Sequence, residues 1–253
     1  MSGHSKWATI KRKKAATDSA RGRLFTRLIK EITIAARNGG GNPDGNPRLR
    51  LAIQTAKTNN MPADNIKRAI QKGTGELPGV AYEEITYEGY GPSGAAILVD
   101  VVTDNANRTV SEIRHIFSRS NGNLGQSGSV AWMFHKKGSI VIPAAGQKTP
   151  LSEDDLLGII LDAGADDMVS EGGIFTVVTA PQAFEAVKKA LEDKSIVLES
   201  ASLQMIPQNT VKVTGKDAEN LMKLMDALEE HDDVQNVSSN FDIDDKELAS
   251  LSS

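Results

Sequence analysis

Along residues 11–37, apolar side chains recur every three or four positions, which is the spacing of an amphipathic helix. At about 100° per residue, one side of this helix collects the apolar residues Phe25, Leu28, Ile29, Ile32 and Ala36. The opposite side collects four cations and one apolar residue, namely Arg23, Arg27, Lys30, Arg37 and Ile34. We therefore predict a helix that packs on the core through one side and presents cations on the other.

Two shorter helices are predicted to follow it. Asn46 and Pro47 are typical of a helix cap and first turn, so a second helix begins there. Pro62 opens a third helix, which we expect to end at Gly73. Residues 1–78 are thus predicted to form a basic, all-helical domain.

From residue 80 onward the pattern changes to strands. Two β-rich runs, 82–87 and 95–102, flank the segment Gly89-Tyr90-Gly91-Pro92-Ser93-Gly94. This segment matches the G-x-G-x-x-G spacing of dinucleotide sites, but such a site needs a strand, the loop and then a helix. Because this loop joins two strands and contains a proline, we predict a hairpin turn.

Farther along the chain, strands and helices alternate in the order β-α-β-β-α-β, which is that of a ferredoxin-like domain. The fold class predicted is multi-domain α and α+β, with this domain, residues 135–206, inserted into another. Residues 80–134 and 207–240 are too few to form separate stable sheets, so we predict that together they form one discontinuous α+β domain. Residues 241–253 are predicted to form an acidic tail.

The net charge of −4 conceals a strong asymmetry. Residues 1–75 contain 16 Lys and Arg against 4 Asp and Glu, a balance of +12, whereas residues 76–253 contain 13 against 29, a balance of −16. A basic domain on an acidic remainder concentrates positive potential where it attracts a polyanion. Cysteine is absent, which excludes disulfides and thiolate metal sites, and no apolar run is long enough to span a bilayer. We expect a cytoplasmic protein that does not bind membranes.

A search for catalytic chemistry finds no constellation of residues to support it. The four histidines are far apart and lack zinc-type spacing. Pairs of adjacent aspartates occur at helix starts and in turns, where caps and solvation explain them. We therefore expect no enzymatic activity, no cofactor, no metal and no small-molecule substrate.

Cations of the first 75 residues are the predicted phosphate contacts. The predicted nucleic-acid-binding residues are Lys6, Lys11, Arg12, Lys13, Lys14, Arg21, Arg23, Arg27, Lys30, Arg48, Arg50, Lys67 and Arg68. Additional loop contacts are predicted at Asn105, Asn107, Arg108 and Asn123, although Arg108 has a structural alternative in a pair with Asp104. Engaging about five to eight phosphates would give a log–log salt slope on the order of −4 to −7.

Several long segments resemble one known family. They include GHSKWATIKRKKAATDSARGRLFTRLIKEI, GGGNPDGNPRLR, NNMPADNIKRAIQKG, YEGYGPSGAAILVDVVTDNANRTVSEIRHIF and GNLGQSGSVAWMF. These segments resemble the YebC family, known in mitochondria as a translational activator of cytochrome oxidase. Ala106 departs from the larger polar residue that many members have there. The resemblance implies a helical domain, an α+β domain and a ferredoxin-like domain inserted in the second.

Family members are described as DNA-binding transcriptional regulators and also as ribosome-associated factors that relieve stalling at proline-rich sequences. The leading interpretation is a non-enzymatic, DNA-binding regulator of transcription. One alternative is a translation factor that binds ribosomal RNA, and so the ribosome. A second is a protein–protein adaptor whose acidic domains bind partners while its basic helices only dock onto them. Phosphate contacts do not distinguish DNA from structured RNA, so the sequence leaves the partner open.

Overall fold

The computed structural model describes residues 18–148, 151–244 and 247–248, with side chains from Arg21 onward. These residues form seven α-helices and ten β-strands, all strand pairs antiparallel except one. The chain is therefore an α+β protein with a helical N-terminal region, as predicted. No described helix is both long enough and apolar enough to cross a membrane.

Three helices open the described chain: α1 (Asp18–Gly39), α2 (Pro47–Thr58) and α3 (Ala63–Thr74). Their apolar faces meet in one core, which includes Leu28, Ile32, Leu49, Ala52 and Ala69. The α2 cap forms as predicted, because the Asn46 side chain accepts a hydrogen bond from the Leu49 amide.

The third helix runs past its predicted end. Gly73 lies inside α3, and the left-handed residue that ends the helix is Gly75, with φ of 81°. A Cβ at Gly73 would lie 2.8 Å from the Ala36 Cβ and closer still to the Thr33 carbonyl oxygen. Gly73 therefore permits α1 and α3 to approach each other, whereas Gly75 provides the turn.

The central sheet has four strands, in the order 123–124, 83–90, 96–103 and 234–239. Its elements are β1 (Glu83–Tyr90), β2 (Ala96–Thr103), α4 (Ala106–Arg119), β3 (Asn123–Leu124), α7 (Gly215–Glu230) and β9 (Val234–Ser239). The two strands that flank the G-x-G-x-x-G segment pair antiparallel in register from Glu83↔Thr103 to Tyr90↔Ala96, so this segment is a hairpin connection, as predicted. One face of the sheet and the helices α4 and α7 share a core that includes Ile97, Phe117 and Leu224.

The predicted acidic tail begins too early. The strand β10 (Phe241–Asp242) pairs in parallel with β8 (Val211–Lys212). Phe241, Ile243 and Leu248 are buried in the core of the central sheet and its helices. Apolar residues alternate with acids after residue 240, so an acidic composition concealed a segment that packs on the core.

Residues 132–209 form one compact unit, and the remaining described residues form another. The smaller unit contains β4 (Phe134–Pro143), α5 (Glu153–Asp162), β5 (Ala165–Glu171), β6 (Ile174–Thr179), α6 (Phe184–Asp193) and β7 (Ser200–Pro207). Its sheet has the order β5-β6-β4-β7 and is antiparallel throughout. The finer division into a helical domain, a discontinuous domain and an insert stays a prediction.

Candidate nucleic-acid interface

The basic side of α1 is not a free surface along its whole length. Lys30 is only 7% exposed, and its Nζ lies 2.6 Å from Asp233 Oδ1 and 2.9 Å from the Asp232 carbonyl oxygen. The predicted phosphate contact at Lys30 is therefore wrong. Helical periodicity correctly placed this lysine opposite the apolar face, but the corner between α7 and β9 covers it.

Asp233 is the centre of a buried polar cluster that joins three elements. Its Oδ2 accepts hydrogen bonds from Thr109 Oγ1 at 2.7 Å, Arg108 Nη2 at 2.8 Å and Thr103 Oγ1 at 3.1 Å. Burial alone would raise the pKa of the Asp233 carboxyl, but the bonds from Lys30, Thr109 and Arg108 hold that pKa well below its usual range. The carboxylate is thus ionised at neutral pH and fully engaged.

Arg27 and Ile34 lie on the same covered side of α1. Ile34 is 2% exposed, which explains why an apolar residue interrupts the basic stripe. Arg27 is half-buried, and burial lowers the pKa of its guanidinium, while the nearby acids Glu229 and Asp232 act in the opposite direction. Its Nε is buried and has no hydrogen-bond partner among the described residues. Arg27 is therefore poorly placed to meet a phosphate.

Two more of the predicted cations are paired with acids of the same chain. Arg48 donates to both carboxylate oxygens of Glu31, at 2.7 and 2.9 Å, and to Glu84 at 2.5 Å. The hydrogen bond that Arg48 donates to Glu31 is the main cause that raises the pKa of the Arg48 guanidinium. Arg108 pairs with Asp104 at 3.0 Å and with Asp233, so its structural alternative is the one that the structure shows.

Other predicted cations remain at the surface. Arg21, Arg50, Lys67 and Arg68 are exposed, and Arg23 is half-buried. Arg50 Nη1 donates to the carbonyl oxygens of Pro43 and Asp44 at 3.1 and 3.3 Å, which leaves its charge uncompensated by these neutral groups. Lys67 and Arg68 project from α3 with no ion pair to another described residue. We refer to these four exposed cations together as the outer basic surface: Arg21, Arg50, Lys67 and Arg68.

The predicted loop contacts have mostly local roles. Asn105 caps α4 by accepting the Arg108 amide at 3.1 Å, and Asn107 and Asn123 are exposed. The structure does not bring Asn105 and Asn123 together, since they lie at opposite ends of α4. None of these contacts with nucleic acid is tested by the geometry, and they stay predictions.

The glycine-rich loop after β3 has an anchor that sequence reasoning missed. The buried Glu88 carboxylate accepts the backbone amides of Gly128, Val130 and Ala131 at 2.6, 2.7 and 2.7 Å. Burial alone would raise the pKa of Glu88, but the three amides lower it overall. By alternation Glu88 shares a face of β1 with the exposed Glu84 and Thr86, so the strand pattern gave no signal that its carboxylate would be buried. These three hydrogen bonds tether the loop to β1.

One group of described residues has the donor types of a metal site: Glu112, His231 and Asp233. His231 Nε2 lies 2.9 Å from Glu112 Oε2, and its Nδ1 accepts the Asp233 amide at 3.1 Å. Both Asp233 oxygens are already engaged by Lys30 and Arg108. A metal would have to displace two cations from a buried carboxylate, so the arrangement fits an ion-pair cluster better than a cation site.

Comparisons with known proteins agree on the family of this chain. A family model described as the TACO1/YebC protein N-terminal domain matches residues 5–76, and one described as the TACO1/YebC second and third domain matches residues 82–241. The chain belongs to the TACO1/YebC family. As a TACO1/YebC protein it is 59% identical to a "Probable transcriptional regulatory protein" of Chlorobaculum parvum over 99% of both chains. It is 58% identical to one of Solibacter usitatus with the same name over 100% of both.

The solved structure of a similar protein has the same fold as this chain. The crystal structure of a conserved hypothetical protein from Aquifex aeolicus superposes with a TM-score of 0.82 at 46% identity, covering 90% of this chain and 93% of that one. Five predicted contacts, Lys6, Lys11, Arg12, Lys13 and Lys14, lie outside the described residues, although the TACO1/YebC N-terminal match includes them.

Proposed function

We propose that this protein is a non-enzymatic, nucleic-acid-binding regulator of gene expression. One observation carries the proposal: Lys67, Arg68 and Arg21 remain exposed while several other cations are neutralised internally. An exposed cation that is not held in an ion pair attracts phosphate at little desolvation cost. The relatives' name, "Probable transcriptional regulatory protein", supports a regulatory role.

Duplex DNA is the partner that we place first, in keeping with that name. The translation alternative, in which ribosomal RNA is the polyanion, rests on the same cations, because phosphate contacts carry no information about the sugar. The adaptor alternative draws support from one contact, since Lys30 does dock onto Asp233 of its own chain. It leaves the exposed charges of α3 without a role, however, and we place it third.

Co-sedimentation with ribosomes at low and high salt, with duplex DNA as competitor, tests the proposal. Displacement of the protein from ribosomes by DNA, with binding that falls steeply as salt rises, is the expected result. A ribosome-bound fraction that resists excess DNA would favour the translation alternative. Binding to neither polyanion, or binding insensitive to salt, would refute a phosphate-mediated role and favour the adaptor.

We also propose finer features of the fold and setting. Residues 132–209 form a ferredoxin-like module, supported by their element order β-α-β-β-α-β and their sheet order β5-β6-β4-β7. The protein acts in the cytoplasm without a cofactor, which fits a regulator that meets nucleic acid there. Fractionation of cells that express a tagged chain tests the location, and a chain found mainly with membranes would contradict it.

A further inference from the structure

A cavity of about 240 Å³ lies in the larger unit, where the ends of α1 and α3 meet the segment that leads into β1. It is partly open to solvent. Pockets that take a whole drug-sized ligand begin at roughly 300 Å³. This cavity therefore suits a single group of a larger ligand rather than a complete cofactor.

Two cations stand at the cavity wall, both in the last turn of their helices: Arg37 of α1 and Lys72 of α3. Arg37 Nη1 donates to the Tyr82 carbonyl oxygen at 3.1 Å, which fixes the guanidinium beside the cavity. A Cβ on Gly79 would lie 3.2 to 3.5 Å from the Lys72 stem, so that stem runs along the backbone at Gly79. Neither cation forms an ion pair with another described residue.

The rest of the wall combines apolar side chains and bare backbone with the side chains of Thr33 and Tyr82. Ile34 is buried beneath the cavity, and Val80, which is 57% exposed, stands at its edge. Gly73 and Gly75 contribute backbone without side chains, and the first of them cannot gain a Cβ without striking α1. An apolar surface beside two cations is the chemistry that a base and its phosphate require together.

We propose that this cavity binds one unpaired nucleotide, with the base against Ile34 and Val80 and the phosphate between Arg37 and Lys72. The inference rests on the proposed function and deepens it. Arg68 and Lys72 are four residues apart on α3 and so are neighbours on its surface. A strand whose phosphates follow the outer basic surface to Lys72 therefore arrives at the cavity.

This site selects the form of nucleic acid. A duplex keeps its bases stacked and paired, whereas loops and single strands can splay a base into a protein pocket. The partner expected at this cavity is thus a nucleic acid with an unpaired base, as in a hairpin loop, whereas the fully paired duplex DNA placed first above would occupy only the outer basic surface. Ribose and deoxyribose forms share this chemistry, and the experiment must compare both.

The test measures affinity for a hairpin with an unpaired loop and for a fully paired duplex of equal phosphate number, each as RNA and as DNA. Gly79→Leu fills the cavity without changing charge, and Val80→Asp makes its edge anionic at an exposed position. Lys57→Gln is the matched control, because Lys57 is an exposed last-turn cation of α2 that does not line the cavity. Thermal unfolding confirms that each variant is folded.

We expect both cavity variants to lose about tenfold in hairpin affinity, the order of one lost base contact, with duplex affinity unchanged for Gly79→Leu. Lys57→Gln should lower the affinity for the hairpin and for the duplex by the same factor. Equal losses on hairpin and duplex, or no loss, in folded cavity variants would overturn the inference while leaving the proposed function intact. If the wild-type protein binds neither ligand, the proposed function fails and the nucleotide site fails with it.

Discussion

At the scale of single residues, the surroundings of a charge decide its role. Lys30 and Lys67 are both lysines of the basic N-terminal region, but one is buried against Asp233 and the other is exposed. Sequence assigned both to phosphate binding because each lies at a polar position of an amphipathic helix. The tertiary fold decides which polar positions of a helix are covered by another element. The local sequence pattern does not carry this information.

Replacing Asp233 by Asn should destabilise the protein by about 3–5 kcal/mol at pH 7, since it leaves Lys30 buried without its counter-charge. Asp244→Asn is the control, because its pair with Lys212 is exposed and such pairs contribute about 0–1 kcal/mol. Urea denaturation measures both. Equal effects of the two substitutions would contradict a buried cluster.

The same cluster predicts a pH dependence with a definite sign. The pKa of Asp233 in the folded protein lies below the value of about 3.9 expected in the unfolded chain, so its stabilisation is complete above roughly pH 5. As the pH falls below about 4, the unfolded chain takes up the proton first and the stabilisation is lost. The difference in free energy of unfolding between wild type and Asp233→Asn should therefore shrink from pH 5 to pH 2. If this free-energy difference stayed constant from pH 5 to pH 2, the ionised Asp233 would not be the source of the stabilisation.

At the scale of elements, periodicity predicted the helices well and their contacts less well. The α2 cap and the hairpin between β1 and β2 follow from local chemistry, and both were predicted correctly. The end of α3 was misplaced at Gly73, because a glycine within a helix looks like a stop signal when its packing partner is unknown. The tail after residue 240 was misread for a related reason, since its apolar residues pack on a distant core.

Gly73→Ala should lower stability by about 1–3 kcal/mol, because its Cβ would strike α1 at Ala36 and Thr33. Gly22→Ala is the matched control on α1, where nothing lies within 4 Å, and it should raise stability by about 0.5–1 kcal/mol through helix propensity alone. Thermal unfolding of both variants gives the comparison. If Gly73→Ala raised stability as Gly22→Ala does, the close approach of α1 and α3 at Gly73 would be refuted.

The outer basic surface predicts a change in salt dependence. Lys67→Gln with Arg68→Gln should reduce the magnitude of the log–log salt slope of nucleic-acid binding by about 2, one for each lost phosphate contact. Arg48→Gln is the internal comparison, because Arg48 is already paired with Glu31 and Glu84 and should leave the slope unchanged. Titrations at several salt concentrations measure the slopes. If Arg48→Gln changed the salt slope more than the double substitution on α3, Arg48 and not Lys67 and Arg68 would be assigned to phosphate binding.

At the scale of the whole molecule, the smaller unit enters and leaves the rest of the chain through neighbouring strands. Phe134 of β4 pairs with Pro207 of β7, and the Gln208 amide donates to the Met133 carbonyl oxygen at 2.9 Å. Ends that lie side by side allow a domain to be removed or inserted with little disturbance of the rest. Local sequence predicted the alternation of elements inside this unit, but the pairing of its ends is a long-range contact.

Replacing residues 132–209 by a short glycine-rich linker should leave a folded protein that still binds nucleic acid, because the outer basic surface lies entirely in the remaining unit. Residues 132–209 expressed alone should unfold cooperatively and bind no nucleic acid. Circular dichroism and a binding titration check both pieces. Loss of binding on excision would assign part of the interface to the removed unit, and binding by that unit alone would do so directly.

The sequence by itself determined what depends on neighbours along the chain: the helices, the hairpin, the order of elements and the separation of charge into a basic start and an acidic remainder. These follow from periodicity, turn chemistry and composition, which act over a few residues or over sums. Only the tertiary structure decided which cations remain free, because Lys30, Arg48 and Arg108 meet acids between 17 and 203 positions away. It also decided that Arg37 and Lys72 line one cavity, since the ends of their two helices come together only after the chain has folded.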